Sequence, residues 1–218
     1  MPRNKRVWYA GAVFHVMNRG NRRESIFKDR ADYYNFLSNL ASVKERYQCS
    51  IYSICLMTNH FHILMKTEEA QIWKIMQRLQ LMYAMDFNRK YNLSGHVFEK
   101  RYNCQLVEDM EYLLEVSRYI HLNPVKASIV KTPAEYAYSS YDAYVLQETA
   151  YNAGGTLSEG EKYALTDPEI KKLMTELVDT KFLLSFFGND ARKHYRSFVE
   201  KKAAHQEHEL LIQKAMHE

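Results

Sequence analysis

Apolar and polar positions change their spacing several times along the chain, and the changes mark out its elements. Residues 12–17, Ala-Val-Phe-His-Val-Met, make a short β-prone run that stops at Asn18-Arg19-Gly20-Asn21-Arg22-Arg23, a turn-forming stretch. Beyond Asp29, a good N-cap, Tyr33, Phe36, Leu37, Leu40, Val43 and Tyr47 recur at helical spacing and predict a helix to about residue 47. Residues 49–57 and 60–66 read as two strands joined by Thr58-Asn59, a hairpin. Ile72, Ile75, Met76, Leu79, Met82, Tyr83 and Phe87 form the buried stripe of a long helix over 71–91, which Asn92-Leu93-Ser94-Gly95 ends. Residues 96–98 and 102–107 supply a fourth strand or strand pair, with Lys100 and Arg101 at its bend. A further helix covers 111–122, and Pro124 suits the first turn of a short one after it.

The order β-α-β-β-α-β-α predicts an α+β fold, a ferredoxin-like sandwich with an antiparallel sheet and its helices on one face. Tyr138-Ser139-Ser140-Tyr141 reads as a surface segment, and Asn152-Ala153-Gly154-Gly155 as a loose stretch. Asp167-Pro168-Glu169 caps another helix, and after Gly188-Asn189-Asp190 a final charged helix is expected over 191–216. The expected division is a catalytic domain over 1–148 and a helical C-terminal extension over 149–218. A chain ending near Tyr144 keeps every predicted element of the sandwich and is expected to fold, although Phe182, Leu183, Leu184, Phe186 and Phe187 must bury against something.

With 46% apolar and 26% charged residues, the 218-residue chain has the composition of a soluble globular protein with a real core. No apolar run is long enough to span a bilayer, so no membrane partner is expected. Cys49, Cys55 and Cys104 form no Cys-x-x-Cys pair and read as reduced thiols, which together with the lack of a signal-type N-terminus suggests a cytoplasmic protein. The net charge is only +4, but Arg3, Lys5, Arg6, Arg19, Arg22, Arg23, Lys28 and Arg30 crowd the first thirty positions. That local excess favours a polyanion partner as much as it fits a solvated basic surface.

Two short stretches carry candidate chemistry. In a strand, side chains alternate faces, so His60 and His62 point the same way and can serve as two ligands of one metal ion. The same pair also fits a half-buried strand with two polar aromatics on its outer face. His15 could belong with them, but a plain position on a strand face is the favoured reading. Tyr119 and Asn123 are four apart and share a helix face. Pro124 biases Asn123 out of helical geometry, to a frayed end from which its amide oxygen could swing in as a third ligand. Two imidazoles and an amide leave positions open on a divalent cation, as a catalytic site requires.

Four blocks resemble one known family. They are Phe14-His15-Val16-Met17-Asn18-Arg19-Gly20-Asn21, Met57-Thr58-Asn59-His60-Phe61-His62-Ile63-Leu64, Gly95-His96-Val97-Phe98-Glu99-Lys100-Arg101-Tyr102, and Arg118-Tyr119-Ile120-His121-Leu122-Asn123-Pro124-Val125-Lys126-Ala127. Over roughly 13–144 the chain resembles the HUH-type single-tyrosine transposases of IS200-like insertion sequences, especially their REP-associated relatives. The resemblance implies His60 and His62 as the metal pair, Tyr119 as nucleophile and Asn123 at the position of an amide ligand. It also implies attack on single-stranded DNA near a hairpin through a 5′-phosphotyrosine, without a nucleotide cofactor. Imidazole ligands favour Mn or Zn by affinity while availability in cells favours Mg, and the expected cation is Mg or Mn. Tyr119 could act on its own histidine pair or, in a homodimer, on its partner's. Arg19, Arg22, Arg23, Arg101 and Arg118 are the candidate DNA-binding residues. Two other readings of the same residues are a hairpin-binding domain that no longer cuts, and a hydrolase in which a metal-bound water attacks.

Overall fold

A computed structural model describes residues 8–146 and 167–201. Four antiparallel strands form the sheet: β1 (Val13–Arg19), β2 (Ser50–Met57), β3 (His60–Lys66) and β4 (Asn103–Val107), in the order β2-β3-β1-β4. Between them run α1 (Arg30–Tyr47), α2 (Ile72–Tyr91) and, after β4, α3 (Met110–Lys126). This is the ferredoxin-like arrangement that the element order implies. Asp29 closes a capping box with Asp32 at the start of α1, as its position suggests. The run 96–98 forms no strand of its own; Phe98 makes an isolated bridge to Gly20.

The helices do not all lie on one face. Phe14, Val16, Ile54, Leu56, Phe61, Ile63 and Met65 pack against α1 and α2. Met17, Tyr52, Cys55, Met57, Leu64 and Val107 turn the other way, against Leu113, Val116 and Ile120 of α3. The sheet is therefore covered on both sides, and the near-continuous apolar run of β2 is the sequence mark of a strand with no wet face. α3 also continues past the expected stop, with Pro124 inside it. The Asn123 amide nitrogen donates to the Tyr119 carbonyl at 2.9 Å, so Asn123 is helical rather than frayed.

β2 is an edge strand, and an open edge invites unwanted pairing. The chain covers it twice. The backbone of Leu56 donates to Tyr138 O and that of Ser140 to Ile54 O, both at 2.9 Å, and Asp179 N donates to Ile51 O at 2.7 Å. Ser139, Ser140 and Tyr141 are consequently buried, which corrects their reading as a surface segment.

The extension continues this cover. A short helix α4 (Tyr141–Val145) is followed by α5 (Pro168–Leu177), α6 (Thr180–Leu184) and α7 (Ala191–Glu200). Asp167 caps α5 by accepting from Ile170 N. Ile170, Met174 and Leu177 join the α1–α2 core, while Leu183, Tyr195 and Val199 join the α3 core. Lys171 and Asp142 form a buried ion pair between α5 and α4. The loose stretch 152–155 and the expected helix beyond residue 201 lie outside the described residues.

The Tyr195 hydroxyl ties α7 to α3. It lies 2.6 Å from Ser117 Oγ and 2.9 Å from His121 Nδ1, with all three side chains buried. Arg118 runs alongside, donating to Val199 O at 3.4 Å and Lys201 O at 2.6 Å. Two outcomes are expected. Tyr195→Phe leaves buried polar partners short of a hydrogen bond and lowers the unfolding free energy by about 1–3 kcal/mol in denaturant titration. A chain ending after Val145 loses core from both faces of the sheet and gives a broad or absent thermal transition, contrary to a freely separable extension.

Candidate active site

Register places the site. β1 pairs with β3 so that Met17 lies opposite His62 and Arg19 opposite His60. Directly opposed residues share a face, so His15, Met17 and Arg19 join the two histidines on the side covered by α3. His60 and His62 stand side by side, their ring centroids 5.1 Å apart. Tyr119 reaches them from α3, with its ring edge-on to His62 at 5.7 Å and to His15 at 6.0 Å.

Hydrogen bonds orient the rings. His60 Nδ1 lies 2.6 Å from Asn59 Oδ1. His62 Nδ1 lies 3.1 Å from His15 Nε2. Sequence reasoning missed His15 as a neighbour of the site: its strand parity is visible, but the face depends on a register that the sequence does not show. Lys126, at the end of α3, sets its ammonium 4.6 Å from the centre of the Tyr119 ring. Such a cation over a phenol face is attracted by the ring and restricts its movement.

The three imidazoles are held neutral. Burial brings His15 down to about 3; burial, then the charge of Arg19, brings His60 down to about 4. His62 is lowered well below its usual value, first by burial and then by His60, His15, Arg19 and Lys126. Neutral rings keep a lone pair for a ligand. His62 Nε2 is shielded from water and has no hydrogen-bond partner among the described residues. A buried ring nitrogen in that state fits a metal ligand, since an unpaired buried polar atom is otherwise costly. Among the described residues, no group of three or more His, Cys, Asp or Glu side chains is arranged to hold a metal. A cation at the His60–His62 pair would therefore need further oxygen ligands, from Asn123, water or substrate.

Asn123 lies one turn beyond Tyr119; the bond of its amide nitrogen to the Tyr119 carbonyl leaves its Oδ1 available. Of the five arginines, Arg19, Arg22, Arg23 and Arg101 lie at the end of the sheet that carries His60. Backbone contacts gather that end: Gly20 N to Asn59 O at 2.8 Å, Asn21 N to Val97 O at 2.8 Å and Glu99 N to Arg19 O at 3.0 Å. Arg22, Arg23, Lys100 and Arg101 are exposed there. Arg118 is not among them. Its guanidinium is buried and bonded to Glu115 and the backbone of α7, so it anchors the extension rather than facing a ligand.

The 20–24 loop needs glycine at its first position for room. A Cβ on Gly20 would come within 2.2 Å of the Glu24 carbonyl oxygen and 2.7 Å of Ile26 Cγ2. Arg22 and Arg23 both have positive φ, at 53° and 62°. Gly20→Ala is expected to displace the loop and to cost about 1–3 kcal/mol in unfolding free energy, with amide exchange accelerating first at Asn21 and Glu24.

Comparison with known proteins agrees with this geometry. The family described as IS200-like transposases matches residues 9–123, more than half of the chain. The chain belongs to that family, and is a transposase. It is 29% identical over 130 residues to a Haemophilus influenzae protein named as a REP-associated tyrosine transposase, covering 54% of this chain and 73% of that one. A solved structure of a REP-associated tyrosine transposase bound to a REP hairpin superposes with a TM-score of 0.57 at 19% identity, over 66% of this chain and 86% of that one. That likeness supports the fold. No described helix is long and apolar enough to cross a membrane.

Proposed function

We propose that this transposase cuts and rejoins single-stranded DNA beside a hairpin, with Tyr119 as the attacking group, and that it is a REP-associated type. The observation that carries the reading is the Tyr119 ring edge-on to His62, delivered from a separate element onto the histidine pair. The Tyr119 oxygen attacks a backbone phosphorus, the bond to the 3′ oxygen breaks, and the phenolic proton is lost to water. A 5′-phosphotyrosine and a free 3′-OH result, and a 3′-OH attacking the phosphotyrosine reverses the step. The phosphoester energy is retained, so no nucleotide cofactor is required.

His60 and His62, with Asn123 Oδ1 as a third ligand, would hold a divalent cation, Mg or Mn. When bound, it supplies Lewis-acid polarisation of the scissile phosphate. Lys126 steadies the Tyr119 ring and adds positive charge where the phosphate must approach. Arg19, Arg22, Arg23, Lys100 and Arg101 offer the basic end that grips the DNA backbone. All these groups come from one chain, so a homodimer, if formed, is not needed to complete the site.

Incubation with hairpin-containing single strands tests the chemistry. The parent protein is expected to yield a covalent adduct mapped by mass spectrometry to Tyr119. Tyr119→Phe should bind the hairpin normally yet give neither cut DNA nor adduct; continued cutting by that variant would make a metal-bound water the attacking group. His60→Ala should abolish cleavage while hairpin affinity stays within a few fold, and an equal loss of both would make the pair part of the DNA grip. The slope of log affinity against log salt should flatten by about 2–3 when Arg19, Arg22 and Arg23 are replaced together. An unchanged slope would move the phosphate contacts elsewhere.

A further inference from the structure

His60 and His62 differ in sequence context but share one feature: each has its Nδ1 engaged, which leaves both Nε2 atoms for another partner. For His60 the proton can be placed. The Asn59 amide nitrogen donates to the Arg23 carbonyl at 3.0 Å, which identifies the other amide atom, 2.6 Å from His60 Nδ1, as oxygen. An amide oxygen accepts, so His60 Nδ1 carries the hydrogen and its Nε2 carries a lone pair. For His62 the facing atom is His15 Nε2, 3.1 Å away, in a contact where either ring could donate. His15 is wholly buried, its ring stacked on His62 with centroids 5.3 Å apart. One proton must lie between the two nitrogens.

We propose that His15 and Asn59 are positioning residues which fix His62 and His60 as Nδ1–H tautomers, so that both Nε2 lone pairs converge on a single cation. The idea rests on the metal role given to the pair above. In His15 the hydrogen then sits on Nδ1, a buried atom with no partner among the described residues. That unpaired N–H is the cost of using an imidazole where a carbonyl or carboxylate more often orients a metal-bound histidine. The advantage is packing: a neutral, flat ring fits against both His62 and Tyr119, where a carboxylate would bring a buried charge.

Two measurements test it. In metal-free protein, long-range 15N–1H correlation should show both His60 and His62 protonated at Nδ1. Either ring in the Nε2–H form overturns the assignment for its partner. Mn2+ binding, followed by electron paramagnetic resonance, should weaken about 10–100-fold in His15→Leu and in Asn59→Ala. His15→Gln and Asn59→Asp, which keep an accepting oxygen, should recover affinity to within a few fold. Unchanged Mn2+ affinity in His15→Leu, or a loss in His15→Gln as large as in His15→Leu, would make His15 a packing residue and overturn the proposal. A parent protein that takes up no Mn2+ sinks the metal site itself. The tautomers of the metal-free protein then still decide whether His15 and Asn59 set the rings.

Discussion

The pairing of β1 with β3 is the constraint on which the rest depends. β1 lies inside the sheet, bonded on one side to β3 and on the other to β4, so its register is pinned twice. A slip of one residue would reverse its faces. Phe14 and Val16 would leave the α1–α2 core, while His15 and Arg19 would enter it. Burial of two large apolar side chains, worth about 1.5–3 kcal/mol each, thus enforces the placement of two polar ones. The chemistry borrows its geometry from packing on the opposite face.

Much of this was legible because it is local. The caps at Asp29 and Asp167, the α2 stripe and the shared face of His60 and His62 follow from one stretch of chain each. What failed was non-local. Period 2 gives the parity of His15 but not the strand beside it, so its contact with His62 was passed over. Arg118 was a candidate DNA-binding residue, yet neighbours on a helix point about 100° apart, and its rotation from Tyr119 aims it at α7. Ser139 and Ser140 look like surface residues until an edge strand needs covering. The near-continuous apolar run of β2 was the available sign that both faces are buried, and it argues against helices on one side alone.

The turn Thr58-Asn59 does more than reverse the chain. Its carbonyls accept from Gly20, Ile26 and Phe27, and the Asn59 side chain reaches both Arg23 and His60. The basic loop and the first histidine are thereby fixed by one dipeptide. A DNA strand gripped at Arg22 and Arg23 would be held in a set relation to His60, not merely near it. The loop that links Arg22 and Arg23 to His60 cannot move without disturbing both.

The same economy explains why the extension belongs with the catalytic fold. In the proposed reaction Tyr119 would have to point into the site while the helix that carries it stays still, because displacement of an attacking atom by an ångström can cost about 100-fold in rate. Around it on α3, Ser117 and His121 are held by Tyr195, and Arg118 by the backbone of Val199 and Lys201. Three of the five residues from 117 to 121 are thus tied to α7, and Ser117 also meets Ser53 of β2 at 2.7 Å. The sheet also fixes α3 through Leu113, Val116 and Ile120. Held by both, the helix presents a half-buried tyrosine whose ring lies against His15, His62 and the ammonium of Lys126. A backbone held in this way suits the role proposed for Tyr119, which would have to reach a phosphorus, form a bond and release it again.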